Sequence, residues 1–120
     1  MYNTTMTDPQ FQNFKSQIRK GALDFVVLLI ISFGPVYTSD ILAKLKKQHL
    51  LVVEGTLYPL LTRLKNAGLL KYEWQESVSG PPRKYYSLTA SGQKTLANLT
   101  EIWQKHCSSI QSLINLTHKK

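Results

Sequence analysis

This 120-residue chain is short of several things, and each shortage closes a class of explanation. It has a single cysteine, Cys107, so no internal disulfide can form. That fits a reducing interior, and the expected location is cytoplasmic. Long apolar runs are missing. The most apolar stretch, Phe25 to Phe33, falls well below the ~20 residues that cross a bilayer and reads as a buried helix segment. Met1-Tyr2-Asn3-Thr4-Thr5 lacks the basic region and apolar core of a secretory leader, so none is expected. The histidines His49, His106 and His118 are scattered, no metal-ligand spacing occurs, and there is no phosphate loop. Neither an enzyme nor a cofactor is expected. His106 and Cys107 are adjacent, and adjacent residues on a helix do not share a face. They make no nucleophile pair, and an inert thiol is the expectation for Cys107.

Acid is also scarce. Seven Asp+Glu stand against fifteen Lys+Arg, for a net charge of +8. Such a balance points to a polyanionic partner, either nucleic acid or an anionic membrane. The first helical segment is basic and then apolar along its length, not split by face, so it is unsuited to lie on a membrane. No membrane partner is expected. The length fits one domain with a modest core, and a domain this small leaves much surface to cover by self-association.

What the sequence contains is a clear order of elements. Asp8-Pro9 opens a helix as cap and first residue, and Phe33-Gly34-Pro35 stops it near Ser32. Thr38 or Ser39 caps a short second helix whose apolar stripe is Ile41, Leu42 and Leu45. A third helix runs from about Val53 to Asn66, with Leu57, Leu60, Leu61 and Leu64 at the three-four spacing of one buried face. Gly68 ends it as a left-handed cap. Pro59 conflicts with this helix, and an irregular or tight first turn is expected before it. Leu70 to Trp74 alternates as a strand, Ser77 to Pro82 reads as a turn-rich loop, and Arg83 to Leu88 returns as the partner strand. Thr89 caps a last helix, roughly Ala90 to Leu116.

The expected fold is mainly α with a small β-hairpin: a winged helix-turn-helix over residues 8–88 and a long C-terminal helix over 89–117. Residues 1–7 and 118–120 are expected to be disordered. In the last helix, Leu96, Leu99, Trp103, His106, Ile110 and Leu113 form an a/d seam that nothing later in the chain could cover. A homodimer through that seam is expected. The third helix would enter a major groove, and its outer side carries Glu54, Gly55, Thr56, Tyr58, Thr62, Arg63 and Lys65. Thr38 and Ser39 at the second helix, Lys15 and Lys20 of the first helix, and Arg83 and Lys84 of the wing complete the candidate contacts to double-stranded DNA. Gly55 allows close backbone approach.

Four segments carry a resemblance. Gly21-Ala22-Leu23-Asp24, Glu54-Gly55-Thr56-Leu57-Tyr58-Pro59-Leu60-Leu61-Thr62-Arg63-Leu64, Gly68-Leu69-Leu70 and Arg83-Lys84-Tyr85-Tyr86-Ser87-Leu88-Thr89-Ala90-Ser91-Gly92 closely resemble the PadR family of winged-helix regulators, over roughly Lys15 to Trp103. Tyr37-Thr38-Ser39-Asp40-Ile41 departs from the family's Gly-Tyr-Glu-Ile while keeping an aromatic and a helix cap. The single C-terminal helix is similar to the smaller subgroup. The resemblance implies a homodimeric repressor on an inverted-repeat operator, with the last helix packed on the partner's first helix. It implies that Tyr58 sits at the DNA backbone and that Arg83 and Lys84 are the basic wing pair. It also implies a small planar, cationic effector near Trp103, with Leu99, His106 and parts of the first helix as the expected lining. Trp103 as a plain interface residue is the other reading of that position. A ligand-responsive dimeric module with weak or no DNA binding stands as the alternative function.

Overall fold

The computed structural model describes residues 8–50 and 52–118; positions 1–7 and 119–120, expected to be disordered, lie outside them. Helix α1 (Pro9–Ile31) begins as expected, with the Asp8 carboxylate accepting from the Gln10 N–H at 2.8 Å. Its two halves differ. Gln12 to Lys20 are exposed throughout, whereas Val27, Leu28, Ile30 and Ile31 are buried in the core.

Next come strand β1 (Val36–Tyr37) and helix α2 (Thr38–Lys47). The cap of α2 differs from both expected residues. Tyr37 is the cap position, and the Asp40 carboxylate reaches back to accept from the Tyr37 N–H at 3.1 Å. Thr38 is thereby the first helical residue and is buried. At the other end, His49 takes the left-handed conformation (φ 60°), and the Leu50 N–H donates to the Leu45 carbonyl at 2.8 Å.

Helix α3 (Glu54–Asn66) buries Leu57, Leu60, Leu61 and Leu64, as the spacing predicts. Pro59 has no N–H to give the Gly55 carbonyl, yet the helix is continuous. The tight turn expected before it is present in part. The Val53 carbonyl accepts from Thr56 N–H at 3.0 Å, three residues on, as well as from Leu57 N–H at 3.1 Å. Gly68 (φ 81°) ends the helix, with Leu69 N–H donating to the Leu64 carbonyl at 3.0 Å.

Strands β2 (Leu70–Ser77) and β3 (Gly80–Leu88) are longer than expected, joined by the tight turn Val78-Ser79. The residues read as loop are largely strand. Pro81 and Pro82 together face Glu76 at a register shift, so the prolines sit in a bulge where no ladder donor is needed. The sheet has a third strand that the sequence pattern missed. Its order is β1-β3-β2, all antiparallel, with Val36 opposite Tyr86 and Tyr37 opposite Tyr85.

Helix α4 (Ala90–Thr117) starts at a tight joint. The Thr89 hydroxyl donates to the Gly68 carbonyl (2.6 Å) and accepts from the Gly92 N–H (2.9 Å), while the Thr89 N–H donates to the Leu69 carbonyl (3.1 Å). A side chain at Gly92 would collide with that Leu69 carbonyl. The joint fixes the direction in which α4 leaves the body. Leu96 is buried in the chain's own core, and from Glu101 onward every described residue of α4 is exposed. His118, expected to be disordered, instead caps the helix, its N–H donating to the Asn115 carbonyl at 3.2 Å. No helix among the described residues is long and apolar enough to cross a membrane.

Candidate nucleic-acid interface

The buried leucines of α3 fix which side of that helix faces water. Glu54, Gly55, Thr56, Tyr58, Thr62, Arg63 and Lys65 are all exposed there, on the side the spacing predicts. Two of them are tied to other groups. The Thr62 hydroxyl donates back to the Tyr58 carbonyl at 3.1 Å. Arg63 forms a two-pronged pair with Asp24 of α1, Nη1 to Oδ2 at 2.8 Å and Nη2 to Oδ1 at 3.0 Å. The hydrogen bond to Asp24 and then its charge raise the Arg63 pKa further above its ordinary value. Arg63 is a candidate DNA contact whose charge already has a counterion in Asp24. Thr38 needs a firmer correction: it is buried, 6% exposed, so it has no surface to offer DNA. Ser39, next in the same first turn, is exposed.

The wing behaves differently. Side chains of neighbouring strand residues point to opposite faces, so Arg83 and Lys84 are not one patch. The Arg83 guanidinium lies over the Tyr37 ring, 4.7 Å from its centre, beside the start of α2. The Lys84 ammonium lies on the other face, 4.5 Å from the centre of the Tyr72 ring and 5.2 Å from that of Trp74, its cross-strand neighbour. From α3, Lys65 reaches the same Tyr72 ring at 5.7 Å. Tyr86 packs beside Tyr72, ring centres 5.8 Å apart; burial, then its neighbours Tyr72 and Tyr58, push its phenol pKa up. The wing's inner face and α3 therefore share one cleft of tyrosines, a tryptophan and two ammoniums.

Lys15 and Lys20 stand exposed on α1, outside that cleft. Lys20 instead borders a pocket of about 510 Å³, whose walls include Arg19, Leu23, Val26, Val52, Val53, Thr56 and Trp103. Trp103 rests against Phe25 of α1, ring centres 5.8 Å apart. Leu99 and His106, expected in the lining, are not part of it: Leu99 packs against the core and His106 faces water. Of the expected seam, Leu96 and Leu99 belong to the chain's own packing, while Ile110 and Leu113 are bare, joined by Ile102, Ile114 and Leu116. Cys107 is exposed, and among the described residues no three His, Cys, Asp or Glu side chains gather as metal ligands.

Four residues of this surface were missed from sequence: Asp24, Tyr37, Tyr72 and Trp74. Period-two alternation from Lys84 across the hairpin would have found Tyr72 and Trp74. Nothing local marks Asp24, which lies 39 residues from Arg63.

Comparison with known proteins agrees with this architecture. A model of the PadR-like transcriptional regulator family matches residues 27–98. The chain is similar to a PadR-like transcription factor from Bacteroides fragilis, at 52% identity and TM-score 0.72, covering 84% of this chain and 98% of that one. It is also similar to a PadR family transcriptional regulator from Eggerthella lenta, at 31% identity and TM-score 0.80, over 89% of this chain and 94% of that one. A PadR-like transcriptional regulator from Bacillus cereus shares 34% identity, with TM-score 0.75, over 82% of this chain and 96% of that one. With helix, sheet and joint all accounted for, this chain belongs to the PadR-like family of transcriptional regulators.

Proposed function

We propose that the chain is a homodimeric repressor that binds an inverted-repeat operator in the cytoplasm and blocks transcription there. Residues 8–88 carry the DNA contacts and residues 89–117 carry the dimer. The observation behind this reading is the state of the wing cations. Arg83 and Lys84 each rest on aromatic rings and, among the described residues, not on carboxylates, beside the exposed face of α3. Without a counterion, both are available to phosphates. Helix α3 begins without a side-chain cap, so its first amides are open to a phosphate, with the Glu54 carboxylate of the first turn offsetting part of the attraction. Glu54, Gly55, Thr56, Tyr58, Thr62 and Lys65 then face the groove, with Ser39 at its edge.

The bare apolar tail of α4 and the exposed first half of α1, with Phe14 and Ile18, support the dimer. Among the described residues, little of the same chain covers either half-helix, and a twofold partner supplies the other. Two α3 helices would then lie about 34 Å, one DNA turn, apart.

The pocket beside Trp103 supports release by a small planar compound. It touches Val53 and Thr56 at the start of α3, so an occupant there shifts the reading helix against α1. Its charged walls are Arg19 and Lys20, with no acid among them. Neutral or anionic aromatic compounds fit that lining better than the cationic ones the resemblance implies.

Fluorescence anisotropy against an inverted-repeat duplex at physiological salt tests the core of this reading. The wild type is expected to bind specifically, and an Arg83→Glu, Lys84→Glu variant is expected to lose the complex. Absence of a specific complex with the wild type sinks the repressor in favour of a ligand-responsive module, and equal specific binding by both proteins removes the wing from the reading.

A further inference from the structure

Trp74 needs an explanation that folding does not give. It is 61% exposed at the outer end of the hairpin, far more than a packing tryptophan would be. Its ring meets Tyr72 edge-on, ring centres 6.2 Å apart at 90°. The two rings make a corner, and the Lys84 ammonium sits in it. Lysine is a flexible side chain, and fixing it costs rotamer entropy. Two cation–π contacts offset that cost. A carboxylate could have held the ammonium as well, but it would have cancelled the charge, as Asp24 does for Arg63. The aromatic corner holds the cation and leaves it charged.

A second feature points the same way. Lys65 from α3 is drawn to the Tyr72 ring that also holds Lys84. Two cations, one from the wing and one from the recognition helix, thus gather at one ring and make a positive spot between the two elements.

We propose that Trp74 and Tyr72 are positioning residues that hold Lys84, still charged, in the cleft between the wing and α3, where with Lys65 it takes one backbone phosphate of DNA. This rests on the DNA-binding reading above and deepens it. It also separates the two wing cations: Lys84 serves the α3 side of the wing and Arg83 the α2 side.

Two measurements test it. The first needs no DNA. In NMR spectra of the full chain, ring currents should move the Lys84 ε-methylene signals upfield, and Trp74→Leu should return them toward ordinary lysine values. Ordinary Lys84 shifts in the wild type overturn the clamp. The second uses a duplex that the wild type has selected from a random pool, titrated across salt concentrations. Trp74→Leu should weaken binding about tenfold and reduce the salt slope by about one, the loss of one phosphate contact. Lys84→Ala should do the same, the double variant should be no worse than either, and Trp74→Phe should recover most of the loss. Additive losses, or no change on Trp74→Leu while the wild type still binds, overturn the inference alone. Failure of the wild type to select or bind any duplex overturns the functional reading, and the phosphate role with it. A thermal melt unchanged by Trp74→Leu excludes a merely structural effect, as expected for so exposed a side chain.

Discussion

The cleft between α3 and the wing and the bare tail of α4 are both surfaces that a lone chain leaves in water, but they are built on opposite principles. In the cleft, aromatic rings hold cations without neutralising them. On the tail, isoleucines and leucines stand exposed along the helix. The first surface offers positive charge and the second offers apolar area, and the two suit different partners. The Thr89–Gly92 joint with Leu69 holds the two surfaces in a fixed relation, so a dimer made by the tail sets the spacing of the two clefts.

Breaking the tail should have the largest effect. Replacing Ile110 and Leu113 together by Glu is expected to turn a dimer into a monomer in sedimentation velocity. Operator affinity should fall about a hundredfold or more, because the second half-site loses its high effective concentration. Circular dichroism should still show the winged-helix body intact. The joint comes next. Gly92→Ala forces a methyl group into the Leu69 carbonyl and is expected to cost about 2–3 kcal/mol of stability in urea denaturation, as overpacking of a filled site does. A silent Gly92→Ala would mean that the joint is loose and the spacing of the clefts is not fixed.

The cleft and wing yield smaller effects on binding. Arg83→Ala should weaken operator binding about tenfold and flatten the salt dependence by about one unit of slope, without moving the melting temperature. The smallest change sharpens the contrast between held and cancelled charge. Asp24→Asn removes the counterion of Arg63 and should strengthen DNA binding about twofold to threefold at low salt, a gain that fades as salt screens it. A loss of affinity instead would show that the Asp24–Arg63 pair orients α3.

Much of this molecule was legible in its residues, because its strongest signals are local. The four leucines of α3, Gly68 after it, Asp8-Pro9 and Thr89 each state one element boundary or one buried face, and each appears where it was read. Features that depend on distant partners were not legible. β1 is two residues long, and only its pairing with Tyr85 and Tyr86 makes it a strand. Arg63 looked like a free cation until the fold brought Asp24 to it. Thr38 looked like a cap because its hydroxyl suits one, but Asp40 reaches back to Tyr37 and the helix starts a residue earlier, inside the core. The a/d spacing of α4 marks an apolar seam without saying whose apolar face it meets. Leu96 is buried in its own chain and Leu113 is exposed. Arg83-Lys84 is the reverse case: strand alternation already separates the two, and reading them as one basic pair hid it.

The central claim is that a twofold dimer presents two clefts to DNA at a fixed spacing. Selection of duplexes from a random-sequence pool by the wild-type chain, followed by sequencing, tests it most directly. The account predicts enrichment of an inverted repeat whose half-site centres lie about 10 base pairs, or a whole multiple of that, apart. Recovery of no enriched sequence, or of a motif without twofold symmetry, would contradict it.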